Sequence, residues 1–384
     1  MQIYLDNNAT TPLDERVLEA MLPYLRESFG NPSSATHAFG WTAGAAVDLA
    51  REELAAAIGA PPEGIFFTGS ATESDNWALT GTLRPGDHLI TTATEHEAIL
   101  ETAHHLARTG VAVTVLPVDG HGLVSLDALR EAIRPETALV SVMLANNETG
   151  VLNPVRELAG AAHERGVPLH TDAAQALCKV PVDVEYLDVD MMSLSAHKCY
   201  GPKGVGALYV RRRPAKGVRR VRLEPLLRGG GQERGLRSGT LNVPGIVGFG
   251  RAASVGASAL SEEAERLKSL RERFFDLLCT GVPGLRLNGH PTERLPGTLN
   301  VSFPSVEAGG LLAALPEVAA SAGSACASLD SKPSHVLKAM GLADKSEAAI
   351  RFGLGRFTTL KEVERAAELV TQAVRDLSVP LTQS

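Results

Sequence analysis

Of the four cysteines in this 384-residue chain, Cys178, Cys199, Cys279 and Cys326, no two stand in a Cys-x-x-Cys pair. That scatter argues against a disulfide framework and against a closed zinc site, and it points to a reducing compartment. The histidines show no metal-ligand spacing, since His104 and His105 are adjacent rather than four apart on a helix face. A surplus of positive charge is also missing. The formal charge of −7 leaves no electrostatic footprint for nucleic acid or an anionic membrane. The one basic stretch, Arg211 to Arg220, has no interleaved aromatic residue and reads as a solvated surface loop. No run approaches the roughly 18 apolar residues of a membrane span. Met1-Gln2-Ile3-Tyr4-Leu5-Asp6 has neither the basic nor the apolar region of an export signal. The expectation is a cytoplasmic enzyme that binds neither nucleic acid nor membrane.

What is present is length enough for one large and one smaller domain. From Gly64 onward short apolar strands alternate with helical stretches. Strands are expected at Ile65–Thr68, His88–Thr91, Val111–Leu116, Ala138–Leu144, Pro168–Thr171 and Met191–Leu194. Helices are expected at Glu73–Gly81, Ala98–Arg108, Leu126–Ile133 and Val155–Arg165. That alternation marks a mainly parallel sheet covered on both faces, in which binding sites collect where strands end and helices begin. A helix from about Gly44 to Ile58 precedes the series, and a long one from Val243 to about Leu278 leads out of it. The remainder, with strands near Thr298–Phe303 and Ala349–Leu354, fits a smaller α+β unit joined by the N-terminal segment.

Chemistry-bearing residues fall at five of the expected strand ends. Lys198 lies between the strand Met191–Leu194 and the turn Gly201-Pro202, where desolvation disfavours an ammonium and makes an amine nucleophile. Ser195 and His197 flank it with donors suited to an anion. Asp172 ends the preceding strand, with Gln175 three residues on. A lysine that forms a Schiff base and an aspartate that pairs with a pyridinium nitrogen are the two anchors of a pyridoxal 5'-phosphate site. Ala71 and Thr72 open a helix after Thr68-Gly69-Ser70, a plausible phosphate cradle or an ordinary cap. His96 follows the next strand, able to lie against a flat ring or to serve as a plain loop histidine. Asn147, in Asn146-Asn147-Glu148-Thr149-Gly150, can bind a ligand or simply form a turn. Cys326 stands apart in Ser321-Ala322-Gly323-Ser324-Ala325-Cys326-Ala327-Ser328, a run of small residues without periodicity, where a nucleophilic thiol has room to act. Cys178 and Cys279 read as core residues, and Cys199 as buried packing.

Ser-Ala-His-Lys followed by Tyr-Gly-Pro-Lys-Gly, together with Gly-Ser-Ala-Cys-Ala-Ser and the terminal Arg351-Phe352-Gly353-Leu354-Gly355-Arg356-Phe357-Thr358-Thr359, resembles the pyridoxal-phosphate-dependent cysteine desulfurases of the iron–sulfur-cluster type, in the branch with the longer cysteine loop. The resemblance implies the aspartate-aminotransferase type I fold. Its large domain (residues 15–260) carries a mainly parallel seven-stranded sheet, and its small α+β domain (261–384) is completed by residues 1–14. It implies that Lys198 carries the cofactor and shuttles protons, that Asp172 pairs with the pyridinium nitrogen and Gln175 with the phenolic oxygen, and that His96 stacks on the ring. Ala71, Thr72, Ser195 and His197 then hold the phosphate, with Thr240 reaching it from the partner subunit of a homodimer. Asn147 and Arg351 bind the carboxylate of L-cysteine, and Cys326 takes the sulfur as a persulfide, releasing alanine.

The expected recipient of that sulfur is an acceptor protein such as an iron–sulfur scaffold or a tRNA-thiolation enzyme. No resident metal is expected, and transient ligation of a partner's cluster by Cys326 stays open. Cys199 departs from the family's usual aliphatic residue. The rival readings are a selenocysteine lyase or other β-lyase on the same fold and, in another class, a non-catalytic sulfur-transfer partner protein.

Overall fold

The computed structural model describes residues 2–304, 306–323, 334–342 and 347–378. In chain order its strands are β1 (Ile3–Tyr4), β2 (Ile65–Thr68), β3 (His88–Thr92), β4 (Ala112–Leu116), β5 (Thr137–Ser141), β6 (Leu169–Asp172), β7 (Met191–Ser195), β8 (Gly206–Val210), β9 (Arg286–Leu287), β10 (Thr298–Pro304), β11 (Val318–Ala319) and β12 (Glu347–Gly353). Seven of them form one sheet in the order β2-β8-β7-β6-β5-β3-β4. All pairings are parallel except those of β8, which runs against both β2 and β7.

Neighbouring residues on these strands point to opposite faces, so each strand serves two cores. Phe66, Leu89, Leu139 and Met191 pack beneath helices Ala71–Thr82 and Glu97–Arg108, with Trp77, Ile99 and Leu106. Phe67, Ile90, Val140 and Met192 pack on the other face, against helices Ala38–Ala57 and Val155–His163 and the start of the helix Val243–Gly281. Burial on both sides explains why the inner strands show no alternation of buried and exposed residues, even where, as in β6 (Leu-His-Thr-Asp), they carry polar side chains.

A third core gathers Ile3 and Leu5 with Leu267, Phe274, Val301, Phe303, Ile350 and Phe352. It lies on the antiparallel sheet β12-β10-β9 and the parallel pair β1-β11. The 39-residue helix Val243–Gly281, capped by the Asn242 side chain, serves both regions: Val243–Ala253 contribute to the first core and Leu267–Leu278 to the third. An 18-residue part of this helix is apolar enough to cross a membrane by length and composition, which the search for an unbroken apolar run did not register. In this fold 56% of that part is buried, as in the core helix of a globular protein.

Several boundaries differ from the sequence expectation for identifiable reasons. The helix expected from Gly44 begins at Ala38, because His37 caps it through a Gly40 N–H to Nδ1 bond of 3.3 Å. The strand expected to reach Leu144 ends at Ser141. Residues 142 and 144 still bond to the carbonyls of His170 and Asp172, so the chain stays extended alongside β6.

Candidate active site

The carboxyl ends of β2, β3, β5, β6 and β7 carry the residues singled out by sequence. After β2 the chain turns at Gly69-Ser70. Ser70 accepts from the Glu73 N–H at 3.1 Å, and the Glu73 carboxylate accepts from the Gly69 N–H at 2.7 Å, a reciprocal cap. The amides of Ala71 and Thr72 precede the first intrahelical bond, Ser74 N–H to Ser70 C=O, and so face outward from a positive helix end. Arg237 fixes this corner by pairing with Glu73 at 2.8 Å. Gly206, opposite, has to be glycine: a Cβ there would stand 2.5 Å from the backbone carbon of Ser70.

Lys198 closes a single 3₁₀ turn after β7. Its Nζ donates to the carbonyls of Asn8 (2.6 Å) and Ala9 (2.7 Å), two residues that sequence reasoning did not place in the site. Asn8 is the hub of the cluster. Its carbonyl also accepts from Gln175 Nε2 at 2.8 Å, and its side chain donates to the Asn147 carbonyl (3.4 Å) and to Thr298 Oγ1 (2.9 Å). Bonds from Thr11 N–H to His197 C=O and from Asn7 N–H to Gly353 C=O hold this segment in place. His197, also half-buried, meets Thr10 Oγ1 at 3.1 Å. Burial, reinforced by Lys198 and two further lysines, lowers its pKa to about 4, so the imidazole is neutral at pH 7.

Asp172 is buried at the end of β6 and accepts from the Ala174 N–H at 2.8 Å. Burial raises its pKa, while His96, that N–H and Lys198 favour the anion. His96 is set by its own capping role, Nδ1 accepting from Ala98 N–H at 3.1 Å, which leaves the ring proton on Nε2. Behind Asp172 lie two more carboxyls. Asp75 is fully buried, and burial together with Asp172 pushes its pKa well up. Glu95 is likewise held up, to about 8, mainly by burial. His170, bonded to Ser141 and Ser193 at 2.9 Å each, falls to about 3 by burial and is neutral. Burial thus disfavours the charged form of all three carboxyls, and Asp172 is the one of the three that His96 and Lys198 favour as an anion.

Asn146 and Asn147 divide their labour. Asn146 Oδ1 accepts from Glu148 N–H, Thr149 N–H and the Thr149 hydroxyl, so it builds the turn. Asn147 takes no part in the turn through its side chain, and its buried Oδ1 has no hydrogen-bond partner among the described residues. Arg351, 1% exposed on β12, donates to the Asn147 carbonyl (3.0 Å) and to Asp6 (2.8 Å), and its Nε has no partner among the described residues. The backbone of Arg351 pairs with Ser321 in both directions. From there the chain reaches Gly323, at φ +100° beside the Glu148 carboxylate, and Ser334 donates to that same carboxylate. The segment 324–333 therefore leaves and re-enters at Glu148, next to Asn147. Cys326 itself lies outside the described residues.

Thr240 is not brought into the cluster: it is exposed and makes no side-chain hydrogen bond among the described residues. Ser195 is buried as the last residue of β7. Cys178 and Cys199 are buried, the latter's thiol donating to the Ala196 carbonyl at 3.2 Å. Cys279 is a correction: it is exposed. One step round the helix from buried Leu278, it points outward, and an apolar neighbour in sequence was a misleading sign. In the basic stretch, Arg211 is also more enclosed than a surface loop suggests, pairing with Asp188 at 2.7 Å.

The fold and this cluster define a transferase of the pyridoxal-phosphate type, and comparison with known proteins agrees. The family model "Aminotransferase class-V" matches residues 3–366. A cysteine desulfurase IscS of Anaeromyxobacter sp. (strain Fw109-5) is 53% identical over 98% of this chain and 93% of its own. The Homo sapiens cysteine desulfurase is 48% identical over 98% and 82%. Among solved structures, a NifS-like protein superposes with a TM-score of 0.90 at 39% identity, covering 98% of this chain and all of its own. SspA in complex with cysteine superposes at 0.81 with 38% identity, over 93% and 100%. The chain belongs to the cysteine desulfurases, pyridoxal-phosphate-dependent enzymes of the class-V aminotransferase family.

Proposed function

We propose that the cluster around Asn8 binds pyridoxal 5'-phosphate and L-cysteine and that Cys326 receives the substrate's sulfur as a persulfide. The meeting of Lys198, Gln175 and Asn147 at Asn8, with Arg351 bonded to the Asn147 carbonyl and Asp172 buried within the electrostatic reach of Lys198, is the observation that carries this reading. The donor set suits the cofactor. Ala71 and Thr72 present amides at a helix start, Ser195 and His197 flank the lysine, and Asp172 is a buried carboxyl whose anionic form His96 and Lys198 favour and a cationic ring nitrogen would favour further. The unpartnered Oδ1 of Asn147 and Nε of Arg351 are buried polar atoms that a ligand's groups would satisfy.

When bound, the cofactor supplies an electron-withdrawing ring that loosens the bonds at the substrate's α-carbon. The protein does the rest. Arg351 and Asn147 orient the carboxylate, the former through a planar fork already fixed by Asp6. Lys198, held by two carbonyls at the sheet edge, carries protons between substrate carbons. Cys326, as thiolate, bonds to the substrate sulfur while the carbon–sulfur bond breaks, and the three-carbon remainder leaves as alanine after protonation. Gly323 and Ser334, on either side of the Cys326 segment, both lie at the Glu148 carboxylate, next to Asn147.

Two further features belong to the same reading. The large and small domains divide within the long helix, near residue 260, as the separate cores suggest. The molecule works as a cytoplasmic homodimer in which Thr240, exposed in the single chain, reaches the partner's phosphate site. The persulfide then goes to an acceptor protein of iron–sulfur assembly or tRNA thiolation. Borohydride reduction of the protein loaded with pyridoxal phosphate, followed by peptide mass mapping, tests the site: the label belongs on Lys198. Label on another lysine overturns the assignment.

A further inference from the structure

Lys179 stands beside the site with no role assigned so far. It lies four residues beyond Gln175, and its Nζ donates to Gln175 Oε1 at 2.8 Å, while Gln175 Nε2 donates to the Asn8 carbonyl at 2.8 Å. These two contacts leave the amide a single orientation. An ammonium only donates and a backbone carbonyl only accepts, so the amide oxygen must face Lys179 and the amino group must face Asn8. The same Asn8 carbonyl accepts from Lys198 Nζ at 2.6 Å, which pins the amino end of Gln175 next to the cofactor lysine. One N–H of that amino group is engaged by Asn8. The other has no protein acceptor among the described residues.

We propose that Lys179 is a positioning residue: by holding Oε1 it turns the Gln175 amino group toward the cofactor's phenolate oxygen and so sets that oxygen's proton affinity. The inference rests on the cofactor site proposed above. Without Lys179 only the Asn8 carbonyl, which Gln175 shares with Lys198, still opposes rotation of the amide, and a rotated amide offers its own oxygen to the phenolate, a repulsive contact. The groups that act on Lys179 are Lys198, Arg351, Cys199 and Cys178. Burial and the Lys198 charge bring its pKa down to about 7, so the lock tightens as the amine gains its proton. Above that pH a neutral amine can accept as well as donate, and the orientation is less strictly imposed.

The test is a pH titration of the visible absorbance of the full-length protein loaded with pyridoxal phosphate, for the wild type, Lys179→Met and Lys179→Arg. Loss of a hydrogen bond to the phenolate is expected to raise the apparent pKa of the visible band by roughly one unit in Lys179→Met, a tenfold rise in proton affinity. Lys179→Arg, which keeps the donor, should restore the wild-type value. Should Lys179→Met not fold by circular dichroism, Lys179→Leu, which also lacks a donor, replaces it with the same expectation. An unshifted band in the folded neutral variant, or an equal shift in Lys179→Arg, overturns the proposal. Failure of the wild type itself to form a visible band refutes the cofactor site instead, so the two failures are distinguishable.

Discussion

Replacing Glu95 with glutamine should reverse the sign of its effect on stability with pH. Glu95 is fully buried, with Oε1 accepting from Thr92 Oγ1 (2.7 Å) and Met143 N–H (2.9 Å) and Oε2 unpartnered. Burial raises its pKa from 4.5 to about 8, so between those values the native state binds one proton more than the unfolded chain. Stability contributed by this group is therefore present in full below about pH 4.5 and is lost as pH rises toward 8. At about 1.4 kcal/mol per pH unit the loss reaches at most ~5 kcal/mol. Glutamine does not titrate, so it escapes that loss. Its amide nitrogen replaces the unpartnered oxygen without finding an acceptor, at a cost of about 1–3 kcal/mol.

Glu95→Gln is thus expected to be less stable than the wild type by about 1–3 kcal/mol near pH 4.5 and more stable by roughly 2–4 kcal/mol at pH 8. Urea unfolding of both proteins in the same cofactor state, from pH 4.5 to 8.5, should give two curves that cross. Parallel curves would refute the assignment of a protonated Glu95 behind Asp172.

Two other substitutions probe the site and its support. Arg351→Lys cannot span Asp6 and the Asn147 carbonyl at once, and should lower kcat/KM for L-cysteine by about 10- to 200-fold, mainly through KM; steady-state kinetics over a cysteine range reads the split. Gly206→Ala drives a methyl into the Ser70 backbone, so denaturant unfolding should show a loss of about 1–3 kcal/mol, with weaker pyridoxal phosphate binding by titration.

The sheet was legible because most of its strands are short, largely apolar runs bounded by turns, and the candidate site residues stood out by following strand ends. Lys198, Asp172 and His96 could be named from local pattern together with their chemistry. Asn8 could not. Its importance comes from contacts with Lys198, Gln175 and Asn147, all more than 130 positions away, and a polar Asn-Asn pair before Ala-Thr-Thr has the same composition as any surface turn. The acid layer was hidden for a related reason. Asp75 and Glu95 carry no local sign of burial in the sequence: the packing of helix Ala71–Thr82 on β6 and β7 encloses the first, and Thr92 and Met143 hold the second. Cys279 failed in the opposite direction, because two preceding leucines do not tell which side of a helix the next residue occupies.

The central claim is that sulfur leaves L-cysteine by transfer to Cys326. Wild type and Cys326→Ala, both loaded with pyridoxal phosphate, would be given L-cysteine while alanine formation and the cofactor's visible spectrum are followed. The account predicts that the variant still changes its spectrum on binding cysteine but makes almost no alanine. Alanine production by Cys326→Ala at the wild-type rate would contradict it and favour a lyase that has no need of the thiol.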